Sequence, residues 1–182
     1  MRAARLVAFA ALTLAGCDRG PQAPPATPGG VPRMALESAA FANDDPIPDE
    51  FTPRGENVSP PLRWSAPPAN TVELALVCED FDAPGDVPFV HWLVTAIPRA
   101  RDAIARGEHL GVEGTNDFGK IGWGGPAPPQ GDDAHHYRFR IYALDRPLGL
   151  ERGARRAALQ DAMKGHVIAF GELVGTYRAA PD

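Results

Sequence analysis

The chain has 182 residues, with 18 Lys or Arg against 23 Asp or Glu, for a formal net charge of −5 at pH 7 with histidines neutral. No basic cluster is dense enough to meet a phosphate backbone, so nucleic acid is excluded as a partner. Only two cysteines are present, Cys17 and Cys78; if Cys17 is taken up by lipid, Cys78 alone leaves no intrachain disulfide and no cysteine-based zinc site.

The N-terminus reads as a targeting segment. Arg2 and Arg5 precede a short apolar run, Leu6 to Gly16, which is closed by small residues and is too short to span a bilayer. Leu14-Ala15-Gly16-Cys17 resembles a bacterial lipobox. That resemblance implies a signal peptide over residues 1–16 and lipid on Cys17, which would make the membrane a partner. Several acyl chains give stable anchoring where one is marginal. The alternative is an ordinary secretory signal in which Cys17 is incidental. Asp18 resembles the inner-membrane retention signal of some lipoproteins. Residues 17–33 carry the lipidated cysteine and a tether, since Asp18 to Arg33 hold five prolines and three glycines. Extended, that tether reaches about 50 Å. The alternative for its last few residues is a first strand of the domain. The expected location is the bacterial cell envelope, facing the periplasm or the cell exterior.

Residues 34–182 are long enough for one domain with a sizeable core. Ser59-Pro60-Pro61 forces extended backbone and is a candidate for a cis peptide bond. Val72 to Asp82 is apolar on both alternating faces, as a strand covered on both sides would be. Phe89 to Ile97 has the same character. Asn116 to Gly119 has a turn composition, and Gly122, Gly124 and Gly125 suit close backbone turns. His135 to Leu144 alternates cleanly, with Tyr137, Phe139 and Ile141 on one face and Arg138, Arg140 and Tyr142 on the other. Glu151 to His166 is the one helical segment, rich in Ala, Arg and Leu and ended by Gly165. Leu159, Ala162 and Met163 give it a modest apolar stripe. Val167 to Tyr177 reads as a last strand weakened by Gly171 and Gly175. Short strands, Pro/Gly turns and one helix predict a mainly β fold, an antiparallel β-sandwich with a few peripheral helices. Trp64, Trp92 and Cys78 are expected in its core.

Strand periodicity also places the polar residues. His135 shares the face of Tyr137 and Phe139, whereas His136 points the other way. His91 shares a face with Phe89 and Leu93, and Asp80 and Asp82 share the face of Leu76 and Cys78. Buried polar groups need partners. A cluster of Asp80, His91, His135 and Tyr137 would satisfy its own members or enclose a ligand. Asp82, before Ala-Pro, has the simpler alternative of bonding turn backbone.

Five motifs in order carry a family resemblance: Asn57 to Trp64 (NVSPPLRW), Asp80 to Pro84 (DFDAP), His91 to Val94 (HWLV), Gly114 to Gly119 (GTNDFG), and GGPAPPQG followed by HHYRF. Together they resemble the phosphatidylethanolamine-binding protein family, in its bacterial Raf kinase inhibitor-like branch. The resemblance implies a sandwich with a metal-free pocket at one end that takes small anions or phosphorylated headgroups. It assigns ligand-binding roles to Asp80, Pro84, His91, Ala127, Pro128, His135 and Tyr137, with Pro129 completing the wall. Ala127 stands where cysteine is usual in bacterial members, so a thiol is not required. Trp123 stands where tyrosine is usual, which is expected to alter the rim.

The side chains themselves agree. Two histidines and a tyrosine hydroxyl offer donors to an oxyanion, and Asp80 would orient a histidine rather than touch the anion. A serine hydrolase is disfavoured, because none of Ser38, Ser59 and Ser65 sits in a nucleophile elbow. A metal-dependent hydrolase built on Asp80, His91 and His135 lacks a recognisable spacing. The reading is therefore non-catalytic anion or headgroup binding with no cofactor and no metal. The alternative is an interaction or inhibitor module for an envelope protease or kinase-like partner, unidentified by the sequence.

Overall fold

The structure is a computed structural model that describes residues 30–180. The predicted signal peptide, Cys17 and most of the tether lie outside the described residues. In chain order the strands are β1 (Leu36–Glu37), β2 (Leu62–Trp64), β3 (Glu73–Asp80), β4 (Phe89–Pro98), β5 (Ala103–Ile104), β6 (Val112–Glu113), β7 (His135–Leu144) and β8 (Val167–Tyr177), with helix α1 (Arg156–Met163) before β8. They form two antiparallel sheets, a small one in the order β1-β2-β5 and a large one in the order β6-β4-β3-β7-β8. This is the antiparallel β-sandwich expected from the sequence.

Every residue of β3 is buried because both faces of the large sheet are covered. On one face Leu74, Leu76, Cys78, Phe139 and Ile141 pack with Leu36, Leu62, Trp64 and Ile104 of the small sheet and its connections. On the other, Ala75, Val77, Leu93, Tyr142 and Phe170 are covered by Leu159 of α1, with Met163 and Leu148 beside it. Burying each large apolar side chain contributes roughly 1.5–3 kcal/mol. Trp64, Trp92 and Cys78 lie in the inter-sheet core, as expected.

Three expectations need correction. The helix covers only residues 156–163, half of the predicted span. Its predicted first turns are instead a bend in which Ala154 donates to the Glu151 carbonyl and Gly153 takes a left-handed φ of 88°. No peptide bond among the described residues is cis. The third correction concerns His91. Cys78 faces Trp92 across the β3–β4 ladder, but the next residue, Glu79, faces Val90. His91 is thus the extra residue of a β-bulge, which turns it to the same side as its neighbour Trp92. Leu93, the predicted face-mate of His91, packs on the opposite side of the sheet.

The β8 edge is covered. Phe170 donates to the Pro32 carbonyl and accepts from the Met34 amide, while the Arg33 guanidinium lies 4.0 Å above the Phe170 ring centre. Farther along, Ile47 donates to the Thr176 carbonyl. These segments occupy backbone groups that an open edge would present to another chain.

Candidate functional site

The ends of β3, β4 and β7 converge at one end of the large sheet. Asp80 closes β3, Phe89 opens β4 and is its ladder partner, and Tyr137 near the start of β7 is its partner on the other side. Between them lies a cleft of about 190 Å³, lined by Asp80, Ala83, Pro84, Phe89, His91, Phe118, Ala127, Pro128, Pro129 and His135. Six of the seven predicted site residues line it. The seventh, Tyr137, lies behind the lining with no exposure to solvent, its ring 5.0 Å from that of His91 and edge-on to it.

Asp80 organises the floor. Its Oδ1 accepts the backbone N–H groups of Asp82 (2.9 Å) and Ala83 (3.1 Å), which fixes the turn after β3. Its Oδ2 accepts from Nδ1 of His135 at 2.8 Å, so that ring presents Nε2 elsewhere, 3.6 Å from Oδ2 of Asp132. Asp82 does not join this cluster. Its side chain turns outward to accept from the backbone N–H and Nδ1 of His136, both at 2.7 Å. The turn-bonding role considered for Asp82 belongs to Asp80.

His91 is set by its bulge and by the glycines opposite. Nδ1 lies 2.6 Å from the Gly124 carbonyl oxygen and therefore carries the hydrogen. Gly125 must be glycine for space, since a Cβ there would strike the Phe51 carbonyl. Gly125 also donates its N–H to Oδ1 of Asn57, which ties the first motif to the wall of the cleft. Burial pushes the His91 pKa below the ordinary 6.5, against the opposing pull of the Gly124 carbonyl and the Asp80 carboxylate. Burial, the larger cause, and the nearby Asp80 carboxylate both push the Tyr137 pKa up. Its hydroxyl is shut off from solvent behind the recess, with the Asp80 carboxylate as a hydrogen-bonding neighbour.

The His91 shift fixes a sign. A histidine that binds protons less readily when folded leaves stability unchanged above about pH 6.5 and removes it as the pH falls below that value. Urea midpoints between pH 7.5 and 5 should therefore fall more steeply for the natural chain than for His91→Gln. Parallel curves would show that His91 is not the group responsible.

The periodicity argument missed Phe89, Ala83 and Phe118 as lining residues. Phe118 comes from the fourth motif, where Asn116 donates to the Gly122 carbonyl and Asp117 accepts the Val90 N–H at 2.8 Å. That loop holds the Phe118 ring edge-on to Phe89 and His91, at 4.7 and 5.3 Å. Only an aromatic residue inside a turn motif hinted at this role. Trp123 does not alter the rim as expected. It packs between Trp92 and Phe139 and donates its indole N–H to the Phe51 carbonyl. Among the described residues no three His, Cys, Asp or Glu side chains come together as metal ligands, and no helix is long and apolar enough to cross a membrane.

The fold and cleft define a β-sandwich with a ligand-sized recess at the ends of its central strands. The chain belongs to the phosphatidylethanolamine-binding protein family, whose sequence profile, described by that name, matches residues 37–178. A "UPF0098 protein" of Pyrococcus abyssi is 41% identical over 158 residues, covering 82% of this chain and 88% of the relative. "Putative lipoprotein LppC" of Mycobacterium tuberculosis is 37% identical and covers 91% of this chain and 90% of its own. Among solved structures, the family homolog CT736 of Chlamydia trachomatis superposes with a TM-score of 0.76 at 38% identity, covering 81% of this chain and 99% of that one.

Proposed function

We propose that the cleft binds a small oxyanion or phosphorylated headgroup without transforming it, and that the chain does so in the cell envelope, held by lipid on Cys17. The observation that carries the binding role is the pair of histidines, His91 and His135, that line one small recess with each Nδ1 already held by a protein acceptor, which leaves both Nε2 atoms for an oxygen ligand. The volume, about 190 Å³, lies below the 300 Å³ at which drug-sized pockets begin, and so suits an ion or a headgroup. The lining contains no serine, threonine or cysteine to act as a nucleophile beside His91 or His135. The name of the mycobacterial relative supports the lipid-anchored part of the reading.

The test is an NMR titration of the histidine ring signals with phosphate and phosphoethanolamine, in the natural chain and in His135→Ala. Saturable shifts at His91 and His135 are expected in the natural chain, with affinity reduced about tenfold in His135→Ala. An absence of shifts at millimolar ligand would rule out the binding role.

A further inference from the structure

The donor and acceptor pattern around the cleft is more specific than an anion site requires. His91 spends its Nδ1 hydrogen on the Gly124 carbonyl, so the nitrogen left for a ligand is Nε2. In a neutral imidazole that atom is a lone pair, an acceptor with nothing to donate. Burial holds this ring toward its neutral form. His135 spends its Nδ1 hydrogen on Asp80, whose other oxygen already accepts two backbone N–H groups.

The charges around these rings are all negative. From β3 comes Asp80. From the loop after β6 comes Asp117, whose carboxylate accepts the Val90 N–H and acts on His91. From the loop before β7 comes Asp132, and from β7 come only His135 and Tyr137. No lysine or arginine lines the recess. A fully deprotonated oxyanion would meet the His91 lone pair and nearby carboxylates with no lysine or arginine in the lining to offset them.

Resting on the anion-binding reading above, we propose that the cleft selects the protonated form of an oxyacid, a phosphate or phosphomonoester that keeps one P–OH to donate to Nε2 of His91. The monoanion supplies what Nε2 of His91 lacks: its hydroxyl hydrogen meets the lone pair, and it brings one negative charge fewer than the dianion into a recess that Asp80 already lines. A phosphodiester, a sulfate ester or a phosphate dianion has acceptor oxygens but no hydrogen for His91. An acceptor facing an acceptor in a buried site is the arrangement by which proteins reject close isosteres.

Methyl phosphate and methyl sulfate form the deciding pair. They are nearly the same size, and at pH 6 the phosphomonoester, with a second pKa of about 6, is about half monoanion. Methyl sulfate carries the same single charge with no acidic hydrogen. Calorimetric titration of the purified protein at constant ionic strength should show methyl phosphate binding at least about tenfold tighter at pH 6. The advantage should shrink toward unity by pH 8, where the monoester has lost its proton. His91→Gln, whose amide can donate as well as accept, should narrow the preference at pH 6 while retaining binding.

Equal affinity for the two esters at pH 6 would overturn the proposal and leave the anion site standing. A preference that does not change between pH 6 and pH 8 would overturn it as well. Binding of neither ester would overturn the anion reading itself, and this one with it.

Discussion

Replacing Asp80 with alanine is expected to destabilise the protein by about 3–5 kcal/mol and to abolish ligand binding. Three donors lose their acceptor at once: the backbone N–H groups of Asp82 and Ala83, and Nδ1 of His135. Each partly or fully buried donor left unpaired costs about 1–3 kcal/mol, with the more exposed turn amides at the low end. The site fails for a second reason, since nothing then holds the His135 ring or the turn carrying Ala83 and Pro84. Asp80→Asn separates the two contributions. Its side-chain oxygen can still accept the turn amides while its NH₂ group faces the His135 hydrogen, so stability should suffer less than binding. Urea unfolding of both variants, with ring spectra of His135, decides the matter. A loss below about 1 kcal/mol in Asp80→Ala would show that the carboxylate does not organise this end of the sheet.

Trp92→Ala is the other change expected to have a large effect. Trp92 is 1% exposed and packs in the inter-sheet core against Trp123. Truncating a buried tryptophan costs about 3–5 kcal/mol through lost burial and the cavity left behind. Here a functional loss should accompany it. The bulge that turns Trp92 inward also turns His91 toward the cleft, so the indole acts as a wedge that keeps the irregular ladder in register. With the wedge removed, β4 can relax toward regular pairing, which would rotate His91 off its Gly124 partner. Trp92→Phe should be much milder. It keeps most of the volume and removes an indole N–H that is buried without a hydrogen bond. Retention of the His91 ring shifts in a destabilised Trp92→Ala would separate packing from positioning.

The long strands were legible because each carries enough residues to declare a period. His135–Leu144 and Val167–Tyr177 match the sequence reading residue for residue, despite Gly171 and Gly175 in the second. Those glycines are there for contact. A Cβ at Gly175 would meet Ile47 at 2.6 Å, and one at Gly171 would meet the Met34 carbonyl at the same distance. The small sheet escaped notice because its strands run only two or three residues, too few for any alternation.

The site shows the same division. His135, Tyr137 and Asp80 lie on regular strand, where period-two counting holds. His91, singled out by residue type, lines the cleft but was given the wrong neighbour, because a bulge shifts the count by one and leaves no mark in the sequence. Phe118 and the carbonyl of Gly124 come from loops, where position depends on distant hydrogen bonds that no local pattern encodes. The Asp82–His136 pair shows how an outward residue can claim a carboxylate assigned to the interior.

The segment laid along β8 gives the domain a polarity. The chain joins the sheet beside Phe170, while His135 and the cleft sit level with Tyr177 at the other end of the same strand. Seven residues of extended chain separate the two levels, roughly 23 Å at about 3.3 Å per residue. A hold on the chain before Gly30 would meet the domain at one pole, while the recess opens at the other. A pull on that segment is borne by the Pro32 and Met34 hydrogen bonds to Phe170, well away from the turns that shape the recess. Load on the N-terminal segment would thus be mechanically separate from the recess.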